Sequence, residues 1–287
     1  MLKLAFDAKR AYQNYSGLGN YSRYVLETMI QMFPENEYYL YTPQVKIDFI
    51  DYLVEYRKQV HLIDITSLPK FIQPLWRNVF VPFDLKRKGI QLYHGLSNEL
   101  PRGIHSSIPQ IVTIHDLIFL KHPEWYNASD IRISEQKIKH ACNTATKIIA
   151  TSEHTKQDII NFYSIPEKKI EVVYQDCDAR FHKRLSEAET HNVLHKYKIH
   201  QPYILSVGTI EERKNQILIL KAFRKLKKND LQLLLVGRST SYIKEVSKYI
   251  YKHQLSDRVR ILTDVTNDDL PLLYGGALFS VYASLAE

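Results

Sequence analysis

The sequence has few cysteines and no long apolar stretch. Its 287 residues include only two cysteines, Cys142 and Cys177, and they form no Cys-x-x-Cys pair. This excludes a disulfide scaffold and a zinc ribbon. No apolar run reaches the about 18 residues that a membrane-spanning helix needs. The first residues also lack the apolar stretch of a signal peptide, and we expect a cytoplasmic protein.

Glycine is scarce as well, with nine residues, and familiar catalytic motifs are missing. There is no Gly-x-Ser-x-Gly elbow, no Walker loop, and no His-Glu-x-x-His motif among the twelve histidines. These absences argue against a serine hydrolase, a P-loop ATPase and a zinc protease. One Asp-x-Asp triplet, at 176–178, is weak evidence for a divalent cation, so we expect no metal and no other cofactor.

Positive charge, in contrast, is in excess. The 39 Lys and Arg residues outnumber the 31 Asp and Glu residues, for a net charge of +8. This excess favours phosphates, nucleic acid or an anionic membrane as partners. No aromatic-plus-basic motif of the usual nucleic-acid modules is seen, so we expect no nucleic acid. Residues 71–88, with Arg77, Lys86, Arg87 and Lys88, are a candidate contact with the inner face of the membrane; a solvated face is the alternative.

Short apolar runs alternate with segments of helical spacing along the chain. This predicts an α/β fold with parallel sheets covered on both faces. Apolar density falls and strands stop between 180 and 201, so we place a domain boundary after residue 184. Each domain, 1–184 and 185–287, is then expected to be Rossmann-like. The predicted strands are 2–6, 38–42, 61–65, 91–94, 110–115, 147–151, 169–174, 203–207, 231–236, 260–262 and 278–282.

The second series stops soon after a strand. A doubly wound sheet normally continues with a helix that covers that strand, so we expect this domain to be incomplete. Glu287 follows the last predicted strand at a position where a carboxylate can bind sugar hydroxyls. The alternative is that it is only a chain terminus.

Two stretches of the first domain lie where ligands bind in open α/β sheets. Gly17 and Gly19 lie between the first strand and the first helix, where glycines let backbone amides approach an anion. The third glycine of a dinucleotide fingerprint is absent, since Ser22 is there, and a flexible loop is the alternative. His94 and His115 each end an apolar strand, where they are either ligands or structural histidines.

The second domain places two cations after its first strand. Gly208 and Thr209 follow the strand, and Arg213 and Lys214 precede the next helix. Cations are unfavourable at a helix start unless an anion is bound there. Arg offers a bidentate fork and Lys a point charge, so the pair fits a diphosphate. A solvated charged turn is the alternative.

Taken together, these motifs resemble glycosyltransferase family 4, whose members are retaining transferases with two Rossmann-like domains, the GT-B fold. The resemblance extends over the whole chain. Residues 94–101 in particular are similar to a segment of mannosyltransferase-like members. The stretches that carry the resemblance are 6–10 with 17–23, 94–101, 113–117, 150–156, 207–215 and 282–287.

The resemblance implies a role for each matching residue. Gly17, Gly19, Gly208 and Thr209 would bind a nucleoside diphosphate sugar. His115, Arg213, Lys214 and Glu287 would act on the transferred sugar and on its diphosphate leaving group. His94, Asn98 and Glu99 would lie on the acceptor side. The acceptor would be a glycan or a lipid-linked sugar, as in polysaccharide biosynthesis.

Two other functions fit the same pattern. A nucleotide-sugar epimerase of the GT-B fold would bind the same donor and change the sugar without an acceptor. A non-catalytic fragment would bind the nucleotide sugar only. The second glutamate of the family's Glu–seven residues–Glu motif is not present in this chain, which keeps the last alternative open.

Overall fold

A computed structural model of the protein describes residues 1–46, 58–64, 66, 75–226 and 230–286. The contacts divide the chain into two compact units, Met1–Asp176 and Cys177–Glu287. This division lies eight residues before the boundary expected after residue 184. Residues 177–184 join the second unit because Arg180 pairs with Asp268 at 2.9 Å and Phe181 packs against Tyr274.

The first unit is a parallel sheet with helices in its crossovers. The seven strands among its described residues have the order β3-β2-β1-β4-β5-β6-β7. This order reverses direction between β1 and β4, which is where open α/β sheets form a ligand crevice. The elements are β1 Lys3–Asp7, α1 Lys9–Gln13, α2 Gly17–Met32, β2 Glu37–Thr42, β3 Val60–Asp64, α3 Val81–Lys88, β4 Leu92–Gly95, β5 Gln110–Ile114, α4 Ile118–Lys121, α5 Ala128–Thr144, β6 Lys147–Ala150, α6 Glu153–Tyr163 and β7 Ile170–Val172.

Apolar side chains cover both faces of this sheet. Phe6 and Leu40 pack against α2 on one face, while Val112 and Ile148 pack with α5 on the other. Tyrosine contributes to this core because its hydroxyl finds a partner: the buried Tyr38 donates to the carbonyl of Met29 at 2.6 Å. Packing on both faces keeps the sheet in place. Because its strands are parallel, their carboxyl ends lie together at one edge.

The second unit repeats the plan with fewer strands. Its sheet has the order β10-β9-β8-β11, and all pairs are parallel. Short 3₁₀ turns, Ala179–Phe181 and Glu212–Lys214, accompany the regular elements. These elements are α7 Glu187–Lys196, β8 Tyr203–Val207, α8 Gln216–Arg224, β9 Gln232–Val236, α9 Ile243–Lys252, β10 Val259–Leu262, α10 Leu270–Gly275 and β11 Phe279–Ser280.

Every strand predicted from the sequence has an observed counterpart, but one stretch expected to precede a helix lies inside it. The stretch that contains Gly17 and Gly19 forms the first turn of α2. Its amides at Gly19 and Asn20 donate to the carbonyl of Ser16 at 2.9 and 3.0 Å, so the helix begins immediately after that residue. Gly17 and Gly19 were expected between the first strand and this helix, and they lie inside its first turn instead.

Ser152 is the N-cap of α6, since its hydroxyl accepts the Thr155 amide at 3.0 Å. Helices α1 and α3 are short, and a π-helical segment, Trp76–Phe80, runs directly into α3. No helix in the described parts of the chain combines the length and the apolarity that crossing a bilayer requires.

Candidate functional site

The carboxyl edge of the first sheet carries the polar residues singled out from the sequence. A cavity of about 220 Å³ opens at this edge. Asn98 and Glu99, which follow β4, line it together with Asp116, which follows β5. Leu18, between the two glycines of the first helical turn, lines it as well. Stretches far apart in sequence are therefore brought to one site within this unit.

The imidazole of His115 is held by a partner at each nitrogen. Nε2 lies 3.0 Å from the Leu96 carbonyl oxygen, which can only accept, so Nε2 carries the proton. Nδ1 is then the acceptor, and the exposed Gln175 amide lies 3.3 Å from it. Burial lowers the pKa of His115, only partly offset by the hydrogen bond to Leu96. The ring is neutral at neutral pH, and Nδ1 is the nitrogen that a ligand can reach by displacing Gln175.

The backbone of His115 is equally constrained. Its amide donates to Oδ1 of Asn98 at 3.0 Å, and its carbonyl accepts the hydroxyls of Thr151 and Thr155 at 2.8 and 3.0 Å. Asn98 adopts a left-handed conformation with φ of 59°, which asparagine tolerates better than most residues. This conformation directs the Asn98 side chain at His115, so Asn98 positions the loop after β5.

His94 lies deeper than an acceptor-binding residue is expected to lie. Its side chain is buried, and Nε2 is 2.9 Å from the hydroxyl of Thr113, which also contacts the Tyr21 hydroxyl. Burial, with a smaller contribution from His115, lowers the pKa of His94 to about 4. His94 is therefore a neutral core residue behind the site, and its acceptor-side role stays a prediction.

Glu99 belongs to a chain of charges that the sequence did not reveal. Arg77 donates to Asp7 at 2.8 and 3.1 Å and also to Glu99, while Lys137 contacts the other oxygen of Glu99 at 3.0 Å. Burial alone would raise the pKa of Glu99, but Arg77 and Lys137 lower it below its usual value. No local motif marks Arg77, because its partners are 70 and 22 residues away.

The two glycines at the start of α2 differ in their surroundings. A methyl group added at Gly19 would lie 1.8 Å from the Asn14 carbonyl oxygen, whereas one at Gly17 would meet nothing within 4 Å. Gly19 is required by packing, and Gly17 faces open space. Arg10, which follows β1, lines the cavity beside Leu18, and its guanidinium has no hydrogen-bond or ion-pair partner among the described residues.

The second unit brings a glycine and a lysine together after β8. The amide of Gly208 donates to the Val236 carbonyl at 2.8 Å, and a methyl group at Gly208 would lie 3.8 Å from Cε of Lys214. Gly208 and Gly237 both have φ of 152°, and a methyl group at Gly237 would lie 2.0 Å from the Gly208 carbonyl oxygen. The two strand ends approach so closely that Gly237 cannot carry a side chain without displacing the loop.

Arg213 connects this loop to the end of the described chain. It pairs with Glu211 at 2.8 Å and donates to the Ala286 carbonyl at 2.8 Å, while its own carbonyl accepts the Leu285 amide. Glu287, predicted as a sugar ligand, lies outside the described residues. Arg213 is therefore held within the unit, and the Lys214 side chain lies beside Gly208.

Thr209 is positioned by a residue that the motif analysis did not single out. Gln216, at the start of α8, is buried and donates to the Thr209 carbonyl at 3.0 Å. Asn215 precedes it in a left-handed conformation, with φ of 52°. The bend at Asn215 lets the 3₁₀ turn with Arg213 and Lys214 lead into α8. The two cations thus lie just before the helix and not inside its first turn.

Two Rossmann-like units, each with polar residues at the carboxyl ends of parallel strands, define the GT-B class of glycosyltransferase architecture. Comparison with known proteins agrees. The model "Glycosyltransferase Family 4" matches residues 16–178, and the model "Glycosyl transferases group 1" matches residues 195–287. The first match covers more than half of the chain, and the chain therefore belongs to glycosyltransferase family 4.

Similar curated proteins are bacterial transferases. An O-antigen chain mannosyltransferase B of Escherichia coli is 28% identical over 200 residues, covering 68% of this chain and 51% of that protein. An N-acetylgalactosamine-N,N'-diacetylbacillosaminyl-diphospho-undecaprenol 4-alpha-N-acetylgalactosaminyltransferase of Campylobacter jejuni is 30% identical over 93 residues, covering 32% of this chain and 23% of that protein. The chain spans about half the length of the E. coli protein that it matches.

Among solved structures, Anabaena Alr3699/HepE in complex with UDP and glucose matches with a TM-score of 0.71. The match covers 100% of this chain and 75% of that one, at 15% sequence identity. At that identity the likeness is evidence for the fold, and the predicted GT-B fold is confirmed.

Proposed function

We propose that this chain binds a nucleoside diphosphate sugar and transfers the sugar to a glycan or lipid-linked acceptor, with retention of anomeric configuration. One observation carries the proposal. The side chain of Lys214 lies beside Gly208 at the carboxyl end of β8, with its Cε 3.8 Å from the position that a methyl group on Gly208 would take. A diphosphate placed at this loop meets backbone amides and an ammonium group together.

The charge of the leaving group explains why a lysine is useful here. Breaking the bond between sugar and phosphate leaves negative charge on the diphosphate while positive charge builds on the sugar. A preorganised donor aimed at such developing charge is worth about 3 kcal/mol in other enzymes. Lys214 provides a point charge, and Arg213, which pairs with Glu211, adds a second positive charge nearby.

The first unit is proposed to supply positioning. His115 is neutral with Nε2 protonated, so it is suited to orienting a sugar through Nδ1 and not to donating a strong charge. Retention then requires no protein base, since a phosphate oxygen on the same face takes the acceptor proton. Gly17 and Gly19 are proposed to place the start of α2, with its favourable dipole, toward donor phosphates. No metal and no further cofactor enter this scheme.

The acceptor side is proposed to be the cavity at the edge of the first sheet. Asn98 and Glu99 line it, together with Arg10. Mannose is the sugar that we propose, because the E. coli relative is an O-antigen chain mannosyltransferase. The name of the C. jejuni relative includes a diphospho-undecaprenol substrate, which supports a lipid-linked sugar as acceptor. Glu287 is proposed to contact the donor sugar.

Calorimetric titration of the chain with GDP and with UDP tests the donor site. We expect one of the two to bind, and we expect Lys214→Ala to weaken that binding by about a hundredfold, which corresponds to about 3 kcal/mol. Lys221→Ala serves as the matched control, because it removes an exposed lysine from α8, the helix that follows the turn with Lys214. If Lys214→Ala binds the nucleotide as tightly as the unaltered protein does, Lys214 does not bind the diphosphate.

Transfer itself needs a separate measurement. We expect GDP-mannose with an oligosaccharide acceptor to give an α-linked product, which NMR identifies from the one-bond coupling between C1 and H1 of the transferred sugar. Release of inverted product would contradict retention. Conversion of the donor sugar without any acceptor would instead identify an epimerase.

A further inference from the structure

An exposed apolar row lies on the segment that leads into α3. Leu75, Val79 and Phe83 are spaced four residues apart, and they are 54%, 57% and 68% exposed. The spacing places all three on the outward side of the π-helical segment and the helix that follows it. We call this surface, residues 75–88, the 75–88 face.

The opposite side of the same segment is firmly packed. Trp76, Val81 and Leu85 are buried in the core of the first unit, and Asp84 is buried beside Tyr41. The outward residues are thus displayed on a fixed scaffold. Their exposure follows from the geometry of the segment and not from fraying.

Cations outnumber carboxylates in the stretch of sequence that carries this row. Residues 75–105 contain five cations and two carboxylates. Both carboxylates are turned inward: Asp84 is 1% exposed and Glu99 contacts Arg77 and Lys137. Arg87 pairs with the buried Asp84 at 2.7 Å, and the ammonium group of Lys88 lies 5.5 Å from the centre of the Tyr39 ring. The outward positive charge of this stretch therefore comes mainly from the exposed Lys86 and Arg102.

Arg102 and Arg77 differ in where they belong. The Arg102 amide donates to Oδ1 of Asn78 at 2.9 Å, which attaches the loop with Arg102 to the 75–88 face. Arg77 was expected among the membrane-contacting cations, but its side chain is turned inward to Asp7 and Glu99. The interior carboxylates hold it more strongly than solvent would.

We propose that the 75–88 face docks on an anionic lipid bilayer. A row of apolar side chains bordered by lysine and arginine is the composition of helices that lie in a membrane interface. The apolar side chains enter the headgroup region, and the cations remain among the lipid phosphates. An acidic protein or a second copy of this chain would also cover the row, and the test separates these outcomes.

This docking goes beyond the proposed transfer reaction and does not depend on it. It has a consequence for the site in the first unit. Arg77 lies on the docking segment and reaches Asp7 at the carboxyl end of β1. Glu99, its second partner, lines the cavity of about 220 Å³. The cavity is therefore close to the proposed bilayer contact, as a lipid-linked acceptor requires.

Vesicle sedimentation tests the proposal with the full chain. We expect binding to vesicles of phosphatidylglycerol and phosphatidylcholine, weaker binding at high salt, and little binding to phosphatidylcholine alone. The double substitution Val79→Ser with Phe83→Ser should weaken binding by at least about tenfold. Met32→Ser with Tyr251→Ser, which removes two residues that are 66% and 83% exposed elsewhere, is the matched control.

A charge variant and two controls complete the test. Lys86→Glu should reduce binding to anionic vesicles and leave the urea unfolding midpoint unchanged. Unaltered vesicle binding by the Val79–Phe83 double variant would overturn the proposal. So would a dimer, seen by size-exclusion chromatography, that this double variant abolishes. Nucleotide titration of the same variants should remain normal, so failure of the membrane proposal is distinguishable from failure of the proposed function.

Discussion

Arg77 binds one oxygen of Asp7 through two nitrogens, with Nε at 3.1 Å and a terminal nitrogen at 2.8 Å. Asp7 ends the first strand and is 7% exposed. Its other oxygen accepts the Lys9 amide at 3.1 Å. Both oxygens of the Asp7 carboxylate therefore have hydrogen-bond partners, and these contacts hold the turn between β1 and α1 in place.

Arg77→Gln should strongly destabilise the first unit. The substitution leaves two enclosed carboxylates, Asp7 and Glu99, without their principal cation. Removing one partner of a buried ion pair typically costs about 3–5 kcal/mol. Both tryptophans, Trp76 and Trp125, lie in this unit, so urea unfolding followed by tryptophan fluorescence measures it.

The matched control is Lys147→Gln in the same unit. Lys147 pairs with Glu171 at 2.7 Å, but both side chains are well exposed, so little stability should be lost. If Arg77→Gln loses no more unfolding free energy than Lys147→Gln does, the ion pairs of Arg77 do not stabilise the first unit.

Gly19→Ala should destabilise the first unit while Gly17→Ala should not. The new methyl group at Gly19 would overlap the Asn14 carbonyl oxygen, a backbone atom that cannot move freely. We expect a loss of about 3 kcal/mol, toward the upper end of overpacking effects. Gly17→Ala adds a methyl group in open space and should raise stability by about 0.5 kcal/mol.

Because Gly17→Ala folds, it also tests the proposed phosphate contact. Weaker nucleotide binding by this variant, with no loss of unfolding free energy, would support that contact. Unchanged nucleotide binding would remove Gly17 from the donor site. Fluorescence-detected unfolding and calorimetry on the same preparation separate the two effects.

Gly237→Ala should damage the donor loop of the second unit. Its φ of 152° disfavours any side chain, and the methyl group would also meet the Gly208 carbonyl oxygen. We expect nucleotide affinity to fall by about tenfold and stability to fall by about 1–3 kcal/mol. Gly208→Ala shares the unusual φ but has only ordinary contacts, at 3.8 Å, so circular dichroism melting should show a smaller loss of stability.

Because of the buried His94, we expect the unfolding free energy of the first unit to fall in mild acid. The pKa of His94 is about 4 in the folded protein, below the about 6.5 expected in the unfolded chain. Between these values the unfolded chain binds a proton that the folded protein does not, so stability falls as pH drops through this window. From pH 7.5 to pH 5 the expected contribution is about 2 kcal/mol.

His94→Gln should shrink this pH dependence, since glutamine can contact Thr113 without titrating. Fluorescence-detected urea unfolding at the two pH values measures the effect. The exposed His105→Gln serves as the control and should keep the original dependence. An unchanged slope in His94→Gln would mean that His94 is not the responsible group.

Several features of the molecule follow directly from the order of residues. Apolar runs such as 203–207 predicted the buried strands, because a strand covered on both faces tolerates few polar side chains. Polar residues after those runs predicted the edge at which sites form, since parallel strands all end on the same side. Lys214 and Gly208 belong to one short loop, so the sequence pattern could also indicate that they lie near each other.

Tertiary contacts determined the rest. The sequence pattern could not show that Gly19 is required by the Asn14 carbonyl, that His94 is in the core, or that Arg77 turns away from solvent. Each of these outcomes depends on which atoms from distant stretches meet. Spacing determines only the side of an element on which a residue lies, whereas burial and charge pairing depend on what folding places against that side.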